Sequence, residues 1–578
     1  MFGVAVAGHN RQSVMSLRRG VHRTLGRVKS WVPSLPTLPG RGDRLVIAPH
    51  DLRTADPTRA AEIYSGRFAF AGKIVICDGR SPFEMIEPSA EWSENLLGFG
   101  WLRHLRAADT AITRANARAL VDEWIGLQGS WNAQPWQPEI LSRRIMSWLS
   151  QATLILDEAD GQFYRRFLRS LNKQVQFLRS TAKDTPDGVS RLQAHAALTY
   201  AALCIAGQMR HLPKATRQLI ADLERQILPD GGHASRNPGA LIELLLDLLP
   251  LRQAFTARNI APPAALINAI DRMMPMLRFF RHSDGTFGLF NGMGPTPPDL
   301  LATLIAYDDA RGTPVANAVH SGYQRIDAGH TVLLMDTGRA PPPDMSLEAS
   351  AGCLSFEFSA RTQRIVVNSG IPATTKENWR EFARSTAAHS TVAFNNVSSC
   401  RFKDGRAIVG GPGRVAIDRE HDHDGTVVIR ASHDGYAGRF RIIHQRTLVV
   451  SPDGNRIDGE DLFLPAKGDV IPAKNPDDFV VRFHLHPAVR ATKVADGHGV
   501  MLVLPNRDLW NFHTYEDVVD LEDGAYLGGQ DGPRRSLQIV VRGKARQAPR
   551  VRWTFLHTPQ PARPGRTARE QTPELPLN

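Results

Sequence analysis

Trp379-Arg-Glu-Phe-Ala-Arg-Ser-Thr-Ala-Ala-His-Ser-Thr-Val-Ala-Phe394 lies just beyond the point, near residue 320, where the hydrophobic period of this 578-residue chain changes. Upstream, apolar residues recur at helical spacing. Downstream, short alternating runs continue almost to the end. The stretch gathers Trp379, Arg380, Arg384 and His389 early in the strand-rich part. Its position implies an α+β multidomain protein, a helical half joined to a β half, with a cleft for a long anionic ligand near the join.

Working back from the switch, Leu141, Ile145, Trp148, Leu149 and Ala152 follow i, i+4, i+7, i+8 spacing, which buries one stripe of a helix. Similar stripes occupy about 110–127, 160–180, 190–208, 213–228, 239–256, 263–280 and 297–311. Turn signals separate them, among them Asp184-Thr-Pro-Asp-Gly188, Pro229-Asp-Gly-Gly232 and Ser283-Asp-Gly285. Helices with short connections predict antiparallel hairpins in a solenoid or an α/α toroid. No fixed-period repeat is present, which favours the toroid. Residues 66–90 hold a short β element.

Working forward, Thr331–Met335, Leu354–Phe358, Arg364–Asn368, Thr391–Phe394, Thr426–Arg430, Arg446–Val450, Val480–His484, Val500–Leu504 and Leu537–Val541 read as strands with no helix between most of them. That pattern predicts an antiparallel β-sandwich. The expected organisation is a basic leader at 1–50, an α/α toroid (an incomplete helical barrel) at 51–318, a sandwich at 319–560 and a basic, Pro-rich tail at 561–578.

The net charge of +12 is confined to the ends. Residues 1–46 carry +7 and residues 542–578 carry +6, leaving the middle at −1. Basic ends on a neutral body argue for solvated tails and against a nucleic-acid partner. Cys77, Cys204, Cys353 and Cys400 are far apart and form no CxxC pair, which argues against a disulfide framework or thiolate metal site. Val4-Ala-Val-Ala7 is too short for a signal-peptide core, Met15 offers an alternative start, and no run reaches the ~18 apolar residues of a membrane span.

Ala351-Gly-Cys-Leu-Ser-Phe-Glu-Phe358, Ile365-Val-Val-Asn-Ser-Gly370 and Arg384-Ser-Thr-Ala-Ala-His-Ser-Thr-Val392 resemble the C-terminal domain of the heparinase II/III-like polysaccharide lyases. Pro229-Asp-Gly-Gly-His-Ala-Ser-Arg-Asn-Pro238 and His282-Ser-Asp-Gly-Thr-Phe-Gly-Leu-Phe-Asn-Gly292 are similar to that family's toroid loops. The resemblance implies cleavage of uronic-acid glycans by β-elimination. The proton on C5 is barely acidic, so a donor must hold the carboxylate while a base and an acid move protons. It assigns His233, Asn237 and His389 to catalysis, with Arg236 adding a bidentate grip and Arg384 one turn before His389. Asn291 would face the cleft, and Trp131 and Trp136 would stack on sugar rings. The family's His-x-Asp pair is replaced by Ser350 and Gly352 here, and Phe287 and Phe290 stand near its loop tyrosine, with Tyr307 and Tyr323 the nearest substitutes.

Each of these has a bland alternative. His233 could cap a turn, His389 could be a core histidine, Arg384 and Arg380 could be structural ion pairs, and Asn291 a turn residue. His484 and His486 share one strand face and His421 and His423 one turn, but neither pair makes a ligand set alone. No metal and no cofactor is expected. The leading expectation is a polysaccharide lyase acting on an acidic polysaccharide or oligosaccharide. The alternative is a catalytically degenerate glycan-binding or cell-envelope-associated protein with a lyase fold, and a third option is an interaction scaffold using the basic tails. The family places its members in the cell envelope or periplasm, while the missing signal core points to the cytoplasm.

Overall fold

The computed structural model describes residues 44–127, 134–307, 313–372, 377–404 and 406–559. Trp131, the basic leader before residue 44 and the Pro-rich tail lie outside the described residues.

The apolar stripes form the helices Ala111–Leu127, Pro138–Ser150, Gly161–Thr181, Val189–Cys204, Leu212–Gln226, Gly239–Ala257, Ala264–Phe279 and Pro298–Ala306. Two of them are buried on nearly all sides and sit innermost. Val189–Cys204 is buried at every position from Leu192 to Cys204, and Gly239–Ala257 at nearly all from Ala240 to Leu251. The neighbouring helices pack around them: Val189–Cys204 touches Pro138–Ser150, Leu212–Gln226 and Gly239–Ala257. The β element before the helices is a hairpin, Arg67–Phe70 with Lys73–Ile76. An irregular segment from Arg44 to Pro57 crosses the helical half. It is tied to the end of Val189–Cys204 by the bridge of Leu45 to Ile205 and to His104 by the amide of Asp56.

The β half is an antiparallel sandwich of an eight-stranded and a nine-stranded sheet. The first runs Val415–His421, Val427–His433, Ile442–Val450, Arg456–Pro465, Arg550–Thr558, Leu509–Thr514, Gly499–Val503, Arg490–Lys493. The second runs Val519–Tyr526, Arg534–Lys544, Asp478–Leu485, Gln363–Val367, Phe356–Ala360, Thr331–Asp336, Tyr323–Ala328, Asn317–Ala318, with Val392–Phe394 pairing Asp478–Leu485. Between the sheets, Phe356 stacks on Trp553 at 5.5 Å. The buried Asp461 carboxylate beside them accepts from Arg446 (2.8 Å), His444 (2.7 Å) and the Trp553 indole (3.0 Å).

The nine-stranded sheet is covered on both faces, which fuses the two halves. Leu333 and Met335 point into the sandwich core, while Leu334 between them joins the helical core with Tyr323, Val367 and Tyr526. Thr331–Asp336 and Phe356–Ala360 are consequently buried at every residue. A polar clamp reinforces the seam. Glu357 on the sheet accepts from Arg364 (2.5 Å), from His282 of the helical half (3.1 Å) and from the Leu289 amide (3.0 Å).

Candidate functional site

The family-like loop Pro229–Pro238 begins as a tight turn. Gly231 has φ +89°, and a Cβ there would lie 1.9 Å from the Arg272 carbonyl oxygen, so only glycine fits. The turn presents His233 inward. Its Nδ1 accepts from the Ser235 amide (3.1 Å), and its Nε2–H donates to Gln226 Oε1 (3.1 Å). Burial lowers its pKa to about 4, so the ring is neutral and has both nitrogens engaged. It is a loop-stabilising histidine, and the catalytic role implied by the resemblance has no free nitrogen to use.

Arg236 follows, with φ +62°. Its guanidinium donates to Ser321 O (2.8 Å), Gly322 O (3.0 Å), Arg339 O (3.0 Å) and Asp336 (2.5 Å) and lies 4.7 Å from the Tyr323 ring. Asp336 holds its pKa above the ordinary value against the cost of burial. Tyr323 donates its hydroxyl to Arg236 O (2.6 Å), and Asn291 donates to Tyr323 (2.7 Å) and Asp336 (2.9 Å) while accepting from the Ser350 amide. Arg236, Asn291 and Tyr323 are therefore a buried interdomain network. Arg236 thus grips the two halves together instead of reaching a ligand, while Asn291, also part of the network, lines the cleft along the junction.

The quoted stretch folds as the helix Glu377–Arg384, a turn at Thr386–Ala388 and the strand Val392–Phe394. Arg384 is buried, donating to Ala349 O (2.8 Å), Ser346 O (2.9 Å) and Arg406 O and lying 4.6 Å from the Phe402 ring. It binds neighbouring loops together instead of reaching a ligand. His389 is 2 % exposed and donates Nδ1–H to Ser385 O (2.8 Å); burial lowers its pKa. Its imidazole fills the space beside Gly352, where a Cβ would lie 2.6 Å from His389 Cδ2. The histidine thus occupies the volume that any side chain at position 352 would need. Among the described residues no three His, Cys, Asp or Glu side chains converge as a ligand group. Trp136 is also buried, edge-on to Phe177 at 5.1 Å with Lys173 over its ring, and offers no face to a sugar.

A cleft of about 510 Å³ does run along the junction. Neither His233 nor His389 lines it. Asn237 does: its Oδ1 accepts from the Gly239 amide (2.8 Å) at the start of the helix Gly239–Ala257, and the half-buried amide group borders the cleft. The charges around it are Asp187, Glu243, Asp344 and Glu348; no Lys, Arg or His lines it among the described residues. Three of the carboxylates have arginines behind them, Arg225 on Asp187, Arg143 on Glu243 and Arg380 on Glu348. The anionic ligand expected from the sequence does not match this lining. Sequence reading noted Asp187 only as a turn residue and passed over Glu348 two positions before Ser350, because neither carries a motif.

Comparison with known proteins sets the site in context. Residues 310–554 match the model of the Heparinase II/III-like, C-terminal family. The chain is 32% identical over 529 residues to FtsZ-localized protein C of Caulobacter vibrioides, covering 89% of this chain and 90% of that one. Its fold is similar to solved structures of the toroid-plus-sandwich type. A heparan sulfate lyase HepC mutant from Pedobacter heparinus superposes with TM-score 0.62 at 14% identity over 96% of this chain and 90% of that one. A heparinase III structure gives TM-score 0.64 at 14% identity over 84% and 79%.

Proposed function

This chain belongs to the heparinase II/III-like family, and we propose that it uses that family's fold as a binding scaffold, holding a neutral glycan in the junction cleft without cleaving it. The observation that carries the reading is the separation of the imidazoles from the cleft. His233 and His389 are buried, bonded to their own loops and absent from the lining. Elimination needs a base that reaches C5–H of the bound sugar and a donor that reaches its carboxylate. A uronate ~6 Å from a cleft carboxylate meets a repulsion of roughly 3 kcal/mol at an effective dielectric near 20, which the arginines behind only partly offset. Carboxylates suit the hydroxyl groups of a neutral sugar, since they are acceptors with several lone pairs. Binding measurements with N-acetylglucosamine oligosaccharides and heparin fragments test this. Neutral oligosaccharides bind and lose about tenfold in affinity, ~1.4 kcal/mol, in Asn237→Ala. Tighter binding of the heparin fragments would contradict it and return the site to glycosaminoglycans.

A partner is suggested by the relative of 32% identity, whose name places that protein with FtsZ. The reading extends to this chain: it associates with FtsZ and is found with the cell envelope. Co-sedimentation of the purified full chain with FtsZ polymers checks the first part, and fractionation the second. A chain that stays in the supernatant at every FtsZ concentration removes the partner from the proposal.

A further inference from the structure

A second cavity, of about 320 Å³, lies inside the helical half beneath the segment His50–Arg53 and beside the helices Pro138–Ser150 and Gly239–Ala257. Glu243 borders both this cavity and the junction cleft, and its carboxylate is held by Arg143 (2.6 Å) and Arg53 (3.4 Å). Asp247 is held by the same two arginines, each at 2.9 Å. Those four charges match one another.

Two further arginines, Arg59 and Arg103, line the wall. Arg103 donates Nε to Thr54 O (2.9 Å) and Nη1 to Gly100 O (2.6 Å). Neither Arg103 nor Arg59 forms an ion pair among the described residues. Next to them His104, 5 % exposed, accepts the Asp56 amide on Nδ1 (2.9 Å), which puts its proton on Nε2. That N–H has no acceptor among the described residues. Burial, with Arg103 and Arg59 close by, lowers the His104 pKa to about 4, so the ring is a neutral donor at physiological pH. Arg103 is stabilised at a distance by the carboxylates of Asp51 and Glu243, but a buried N–H left without an acceptor, as at His104 Nε2, is costly until an oxygen atom enters. Guanidinium groups bind phosphate and carboxylate with charge-assisted hydrogen bonds. The remaining wall supplies acceptors in Asp51 and Glu94. The volume holds roughly ten waters at ~30 Å³ each, the scale of one monosaccharide with a charged group.

We propose that this cavity binds a small hydroxylated oxyanion, a sugar phosphate or sugar acid, with Arg59, Arg103 and His104 on the oxyanion and Asp51 and Glu94 on its hydroxyl groups. The site is separate from the junction cleft and does not depend on what that cleft holds.

Thermal shift and titration calorimetry on the full chain at low salt test it, with inorganic phosphate, glucose 6-phosphate, glucuronate and glucose as probes. At least one charged sugar raises Tm and binds about tenfold or more tightly than glucose, and inorganic phosphate alone binds more weakly than the better of the two. Preference for glucose 6-phosphate identifies a sugar phosphate, and preference for glucuronate a sugar acid. Arg59→Gln removes an exposed side chain with no ion pair to break, and loses about tenfold of that affinity. Asn237→Ala leaves it unchanged. The proposal is overturned if no charged probe at ~10 mM shifts Tm, a concentration that would reveal even millimolar affinity, if glucose binds as well as the charged sugars, or if Arg59→Gln and His104→Gln both bind like the unaltered chain.

Discussion

At the scale of single residues, the contact of Gly352 with His389 leaves no room for a side chain at position 352. A methyl group at position 352 has to displace the imidazole, because the Cβ would sit 2.6 Å from Cδ2. Gly352→Ala therefore destabilises the chain by about 1–3 kcal/mol, the usual range for overpacking a core. Adding His389→Ala recovers most of that loss, and urea denaturation of the two single variants and the double variant measures the coupling. A double variant as unstable as the sum of the singles would show that the two residues do not compete for space. The residue types at these positions were legible in the sequence; their surroundings were not. Arg236 reads as a substrate clamp until Asp336, a hundred residues on, is seen to hold it. His233 reads as a cleft histidine until Gln226, on the preceding helix, takes its Nε2–H. A sequence shows which side chains can hydrogen-bond, and only the packed structure shows which partners have already used them.

At the scale of elements, helices and strands fell where their periods indicated, because each stripe had one core to face. The predicted stripe at 160–180 is the helix Gly161–Thr181, and Ile442–Val450 alternates buried with half-buried residues along its length. The exceptions lie at the seam. Thr331–Asp336 has no exposed face, since Leu333 and Met335 enter the sandwich core and Leu334 enters the helical core. A run apolar on both faces marks a strand that other elements cover twice. Leu334→Ala is accordingly expected to cost about 2–5 kcal/mol, as for other buried leucines. It should do so by loosening the helical half from the sheet, read as greater protease sensitivity near residue 320. A loss under ~0.5 kcal/mol, the range of exposed sites, would show that the seam is not a shared core.

At the scale of the whole molecule, buried neutral histidines set the response to acid. Burial brings His104, His233 and His486 to about 4 and His484 to about 3, and lowers His282, His389, His433 and His444 as well. In the unfolded chain these groups titrate near 6.5. Below that pH the unfolded state binds more protons than the folded one, so stability falls as pH falls from about 6.5 toward 4. Calorimetry should give a Tm that is level near neutrality and drops across that window; a Tm that rises on acidification would contradict the assignment of neutral buried rings. The same closed rings underlie the functional account, in which a lyase fold retains its cleft and has enclosed its proton-transfer groups. The most direct test is prolonged incubation of the full chain with heparin, heparan sulfate and alginate, following the ultraviolet absorbance of the unsaturated uronate that elimination creates. The account predicts no increase over a boiled control with any of the three. A steady increase that disappears in His389→Ala would show that the imidazole reaches substrate after all, and would contradict it.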